Sequence, residues 1–213
     1  MEFMMQYMLK KALLVFSILF ILSGMACAET YEEGKHYKRV DQPRMIDSDN
    51  VEVLEFFWYG CPHCFSFEPF IKSWKKTKPT NVEFTRIPAI FRPDWEVQAR
   101  AYYALSNMGI IEDLHGKIFD AINKDKKKLN KPELMADFLE KNGVDKKEYL
   151  KEYYSFAVDG MVRKAKKKQK AYKIQGVPTV IVNGKYQTSG SMSGSYDNLV
   201  KIINYLIEKE TKK

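Results

Sequence analysis

The apolar run Val51 to Tyr59 ends at Gly60 and passes directly into Cys61-Pro62-His63-Cys64 and a segment with helical spacing of apolar residues. A strand that stops at a glycine, then two cysteines three residues apart, then a helix, leaves few architectures open. One turn of helix brings the two sulfurs within bridging range, and the short spacing lets a bond form and break without refolding. So small a ring constrains the unfolded chain little. The pair therefore reads as a thiol/disulfide switch rather than a structural staple.

The N-terminus sets the compartment in which such a switch would work. Lys10 and Lys11 precede the apolar run Ala12 to Leu22, broken only by Ser17, and Ala26-Cys27-Ala28 supplies a small-x-small cleavage signal before Glu29. This layout predicts a signal peptide over residues 1–28, since the apolar run is short for a bilayer span. An uncleaved anchor is one alternative. A lipoprotein acylated at Cys27 is another, although Gly24-Met25-Ala26 matches a lipobox only loosely. Cleavage after Ala28 leaves residues 29–213, long enough for one domain carrying a large insertion, and leaves Cys61 and Cys64 as the only cysteines. An exported chain that keeps a single close pair uses it for chemistry.

The full chain carries a formal charge of +8, and loss of Glu2, Lys10 and Lys11 lowers it by one. The lysines at 164, 166, 167, 168 and 170 fall in a helical stretch without interleaved aromatics. They read as a solvated helix face with weak steering toward acidic surfaces, not as a nucleic-acid interface.

Along the chain, His36 to Val40 predicts a short edge strand and Val51 to Phe57 a central strand apolar on both faces. A helix follows from Pro62 to about Lys76, with Pro62 in its first turn, and then a strand from Val82 to Ile87. Residues 94–154 change to helical periodicity: Trp95 to Met108, Glu112 to Asn123, a helix capped by Asn130, and a short one after Asp145. A longer helix covers about Ser155 to Lys173. Strands Thr179 to Val182 and Lys185 to Thr188 are joined by Asn183-Gly184, the pair a type I′ turn requires. Ser189 to Ser195 reads as a loop, and Asp197 to Lys209 as a closing amphipathic helix.

This order is that of an α/β thioredoxin fold with an inserted helical subdomain: 29–93 and 155–213 form the thioredoxin-like part and 94–154 the insertion. Cys61-Pro62-His63-Cys64 after Leu54-Glu55-Phe56-Phe57, with Gly176-Val177-Pro178 and Val182-Asn183-Gly184-Lys185-Tyr186 far downstream, resembles the DsbA family of periplasmic thiol:disulfide oxidoreductases from about Glu33 to the C-terminus. The resemblance implies an oxidant that gives its Cys61/Cys64 disulfide to reduced or unfolded exported proteins. It also implies a periplasmic location, no cofactor beyond the disulfide, no metal, a membrane quinone-linked reoxidant of DsbB type, and a monomer.

Each residue then has an expected place. Cys61 is expected exposed at the helix start, where free N–H groups and the helix dipole favour thiolate, with His63 adding a charge or hydrogen bond to the same sulfur. Cys64, inside the helix, is the resolving thiol. By resemblance, Val177-Pro178 is a cis-proline loop facing the motif, and the Val177 backbone pairs with an extended substrate. Glu55 shares strand parity with Val51, Val53 and Phe57, so it points into the core beneath the motif, where a carboxylate needs a partner or a raised pKa and suits a proton relay for Cys64. Arg86 shares parity with Val82 and Phe84, and either pairs with Glu55 or extends to solvent.

Three other readings differ in what the motif does. A metal module would use Cys61, His63 and Cys64, with His36 and His115 as the remaining histidines, but adjacent His63 and Cys64 fit one tetrahedral ion poorly. A chaperone-like binding domain would not need the thiols. An isomerase or reductase of this fold would share them, although the stretch between Glu29 and Val51 leaves no room for the dimerisation domain that isomerases add.

Overall fold

Strand β2, Val51–Phe57, is where the sequence puts its most continuous apolar run, and it lies inside the sheet with a neighbour on each side. The computed structural model describes residues 30–43 and 50–211; the expected signal peptide and Cys27 lie outside the described residues. Strand β1 is Lys38–Arg39, shorter than the predicted His36 to Val40. Helix α1, Pro62–Thr77, leads to β3, Val82–Pro88. After a single 3-10 turn at Pro93–Trp95 come α2, Glu96–Asn107; α3, Ile111–Asn123; α4, Pro132–Glu140; α5, Lys146–Tyr153; and α6, Phe156–Ala171. The chain closes with β4, Thr179–Val182; β5, Tyr186–Ser189; the one-turn α7, Gly190–Ser193; and α8, Tyr196–Thr211.

The sheet order is β1-β5-β4-β2-β3. Strand β3 runs parallel to β2 and β4 antiparallel to it, which is the mixed sheet of a thioredoxin-type α/β fold. The parallel register sets Glu55 directly beside Arg86.

Alternation along β2 divides its side chains between two cores. Val51 and Val53 pack with Phe67, Ile71 and Trp74 of α1 and with Leu199, Ile202 and Leu206 of α8. Leu54 and Phe56 face the other way, against Ala165 of α6 and Tyr172 and Ile174 beyond it. Each fully buried side chain of this size contributes about 1.5–3 kcal/mol, which is why the sheet tolerates no polar residue there without a partner. A third cluster gathers α2 to α6 around Phe57, Tyr59, Cys61 and Cys64, so the motif sits where the sheet, α1 and the helices of 94–154 meet.

Local sequence accounts for most boundaries. Asp145 and Ser155 cap α5 and α6, their side chains accepting from Glu148 N at 2.7 Å and Val158 N at 3.1 Å. Asn183 and Gly184 both have positive φ, 49° and 64°, and close the β4–β5 hairpin as expected. Two expectations fail. Asn130 does not cap α4; the cap position is Lys131, with no side-chain bond, because the residue before Pro132 is forced extended and the helix can begin only at the proline. The segment predicted as a loop from Ser189 to Ser195 contains α7, stopped by Gly194 at φ 74°.

Candidate active site

Gly60 ends β2's extension so that the chain can turn into α1. A Cβ at this position would lie 2.3 Å from Cζ2 of Trp58, whose indole lies over the turn and stacks on Trp95 with centroids 3.7 Å apart. The turn is closed by the Cys61 N–H donating to Trp58 O at 3.0 Å. Cys61 is therefore the N-cap of α1, with Pro62 at the first helical position.

Both cysteines are free thiols. The Cys64 N–H donates to Cys61 Sγ at 3.4 Å, and the Cys61 thiol in turn faces Val177 O, also at 3.4 Å. The Val177–Pro178 peptide bond is cis, so the far loop turns its Val177 carbonyl to the sulfur. That loop corrects one expectation: Cys61 is not open but only 8% exposed, against 1% for Cys64.

The two thiols are driven apart electrostatically. Cys61 is pulled down to about 6, first by the hydrogen bond from the Cys64 thiol, then by the N–H groups of Cys64 and His63 and by the His63 charge, with burial opposing. Cys64 is pushed well up by burial, and further by Cys61. The His63 imidazole is the least of these contributors, and its Nδ1 is bonded to the Tyr196 hydroxyl at 3.2 Å rather than to the sulfur. Its side chain acts on Cys61 through charge alone, less than the sequence suggested, while its backbone N–H contributes more.

Beneath the motif lies a buried polar chain. Arg86 Nε donates to Glu55 at 3.0 Å, and its Nη2 to both oxygens of Glu68 at 2.9 and 2.8 Å. Arg86 is 6% exposed, so it pairs and does not extend to solvent. Burial raises Glu55 to about 7, outweighing the attraction of Arg86, and Glu68 raises it further. Burial raises Glu68 as well, with Arg86 and Lys75 opposing. The cluster holds two carboxylates against one guanidinium, so retaining a proton costs less than ionising both. The Glu55 charge acts on Cys64.

Sequence reasoning did not single out Glu68 or Tyr59, and named His115 only as a remaining histidine of the metal reading. His115 Nε2 lies 3.4 Å from Glu68 and its Nδ1 2.8 Å from Tyr59 OH; burial first, then the Arg86 charge, keep the imidazole neutral. The available signal for Glu68 was its place four residues after Cys64, one turn down the same helix. His115 Nδ1 is thereby taken up by Tyr59, and His36 Nδ1 accepts from Glu32 N at 3.0 Å. A cleft of about 690 Å³ opens beside the motif, bordered by His63, Val177, Pro178, Met192 and Tyr196.

Similarity to known proteins agrees with this geometry. A family profile described as the DSBA-like thioredoxin domain matches residues 70–204. The thiol:disulfide interchange protein DsbA of Pseudomonas aeruginosa is 46% identical over 191 residues, covering 89% of this chain and 90% of the relative. That of Azotobacter vinelandii is 47% identical over 160 residues, 75% of each chain. The crystal structure of Pseudomonas aeruginosa DsbA superposes with a TM-score of 0.81 at 45% identity, covering 84% of this chain and 94% of that one.

Proposed function

Because this chain belongs to the DsbA family of thioredoxin-fold thiol:disulfide oxidoreductases, we propose that it works outside the cytosol as a donor of its Cys61/Cys64 disulfide to newly exported proteins. The observation that carries this direction is the environment of the Cys61 sulfur: capped by the Cys64 N–H at 3.4 Å and held at about 6. A stabilised thiolate favours the reduced enzyme. The oxidised form has no thiolate to benefit, so the disulfide is readily given up.

In the forward step a substrate thiolate attacks Cys61 Sγ. The Cys61–Cys64 bond breaks and Cys64 leaves with the electron pair. Its raised pKa means that it takes a proton at once, and Glu55, whose charge acts on Cys64, is the acid placed to supply one, with Arg86 holding that carboxylate as a charge partner. A second substrate thiolate then attacks the substrate sulfur of the mixed disulfide, and Cys61 departs as a stable thiolate. One disulfide has passed to the substrate, and the enzyme holds the dithiol pair. Pro62 starts the helix that positions both sulfurs. Val177 and Pro178 present an edge to an extended substrate segment, which supports tolerance of substrate sequence.

No cofactor beyond the disulfide enters this cycle. Its closure requires an external oxidant, for which a membrane quinone-linked protein of DsbB type is the reading that family membership supports. Export through the signal peptide to the periplasm, monomeric action, and a division into 29–93 with 155–213 and an insertion at 94–154 belong to the same proposal. Exchanging Cys61→Ser tests it: oxidation of a reduced substrate protein should be abolished. Oxidation that proceeds unchanged would come from elsewhere than Cys61 and overturn the donor reading.

A further inference from the structure

The walls of the cleft beside the motif carry cations and no acid. Lys38 and His63 border the cleft itself. Lys166, Lys170 and Lys173 border a shallower hollow that adjoins it through Gln175, a residue of both linings. Neither lining contains Asp or Glu. Carboxylates around it are already paired: Asp41 with Lys173, its charge also acting on Lys38, Glu96 at 2.6 Å from Lys166, and Asp197 at 4.0 Å from Lys201. Lys38 and Lys170 are exposed and have no ion-pair partner among the described residues.

The cleft surface between these cations offers little other selectivity. Ser189, Ser191, Ser195 and three glycines share the lining with Val177, Pro178, Met192 and Tyr196. Such a surface accepts an apolar residue of ordinary size and offers a basic one no counter-charge. Backbone pairing at Val177 is indifferent to sequence, so the discrimination that remains is charge, and partner charge complementarity acts mainly on encounter and register.

We propose that this face selects reduced substrates in which acidic residues lie beside the reacting cysteine, Lys38 and Lys170 being the cations that read them. The inference rests on the donor reading above and names its substrate class. An extended segment at the Val177 edge lies in the cleft that Lys38 borders, and the adjoining hollow with Lys170 is reached through Gln175. A carboxylate within reach of either gains an attraction that a neutral or basic residue lacks.

The test uses the oxidised protein and three dithiol peptides that differ only in flanking residues: Asp/Glu, Ser/Gly or Lys. Rates of peptide oxidation are compared at about 20 and about 500 mM salt, where the screening length falls from roughly 20 Å to about 4 Å. The acidic peptide should react about three- to ten-fold faster than the lysine peptide at low salt, the range that one or two exposed ion pairs supply, and the ratio should collapse toward one at high salt. In the Lys38→Glu/Lys170→Glu variant, with its fold checked by circular dichroism, the preference should invert. Equal rates for the three peptides at both salt concentrations would overturn the inference and leave the donor reading standing. Failure to oxidise any peptide would remove the donor reading and this inference together. Should the variant not fold, the salt dependence of the unaltered protein still decides.

Discussion

Cys61 Sγ lies 3.4 Å from the carbonyl oxygen of Val177, and the Cys64 N–H approaches the same sulfur from the helix side at 3.4 Å. The thiol can donate to the carbonyl. The thiolate cannot, and then faces a partial negative charge. The low pKa must therefore come from donors on the helix side, the Cys64 thiol first among them. In Cys64→Ala the Cys61 pKa is expected to rise from about 6 by about one pH unit, read as thiolate absorbance against pH. An unmoved titration would assign the effect to the backbone and the helix start.

The same thiolate makes the reduced protein's stability pH-dependent. Its pKa is depressed to about 6 in the fold, against about 8.5 for an unfolded cysteine. The contribution is full above about pH 8.5 and is lost as pH falls through about 6. Denaturant melts should therefore show the reduced form more stable than the oxidised at pH 7 to 8, by about 1 kcal/mol from this source after solvent screening. The gap should close toward pH 5. A more stable oxidised form at pH 7 would count against a donor.

For Glu55 the sign is opposite. Burial raises its folded pKa to about 7, above the ordinary carboxyl value, so the neutral form favours folding below about pH 4.5 and that contribution is lost as pH rises through about 7. Glu55→Gln should gain stability relative to the parent as pH rises from 5 to 8. It should also slow formation of the mixed disulfide, the step in which Cys64 leaves, by about ten- to a hundred-fold, below the full range of direct proton transfer. A rate that stays at the parent value would leave Glu55 a purely structural residue.

Arg86 is the only cation in hydrogen-bond contact with both Glu55 and Glu68 among the described residues. Arg86→Met should destabilise the protein by about 3–5 kcal/mol at pH 7, because two buried carboxylates lose their counter-charge. The loss should shrink as pH falls through about 7 and Glu55 takes up its proton, Glu68 being held above the ordinary carboxyl range as well. Arg86→Lys keeps the charge without the fork that spans two carboxylates, so it should cost less. Urea melts across pH separate these outcomes.

Gly60→Ala places a methyl group 2.3 Å from the Trp58 ring. The Trp58 indole must move, and its stack on Trp95 beside the turn closed by the Cys61 N–H is disturbed. About 1–3 kcal/mol of destabilisation is expected, as in overpacked cores, together with a changed tryptophan emission spectrum. A spectrum and melt equal to those of the parent would contradict the close approach.

Much of this was legible from local pattern. The run Val51 to Phe57, the Pro62 helix start and Asn183-Gly184 each state their backbone geometry in adjacent residues. Strand parity placed Glu55 and Arg86 on the right faces, yet their contact depends on the β2–β3 register, which no local signal contains. His115 was harder still: it reaches Tyr59 and Glu68 from α3, and its role exists only once the helices between β3 and β4 pack on the motif. The position of the Val177 carbonyl over Cys61 is likewise a tertiary fact, and it is why an expected exposed sulfur is nearly covered.

The central claim is the direction of electron flow, and equilibration of the Cys61/Cys64 pair with glutathione measures it. Each pH unit by which the thiolate is favoured moves a two-electron couple by about 30 mV. The predicted result is a potential more oxidising than about −180 mV, with the pair half-reduced while glutathione is still largely oxidised. A potential near about −270 mV, the region of cytosolic reductants, would contradict the account.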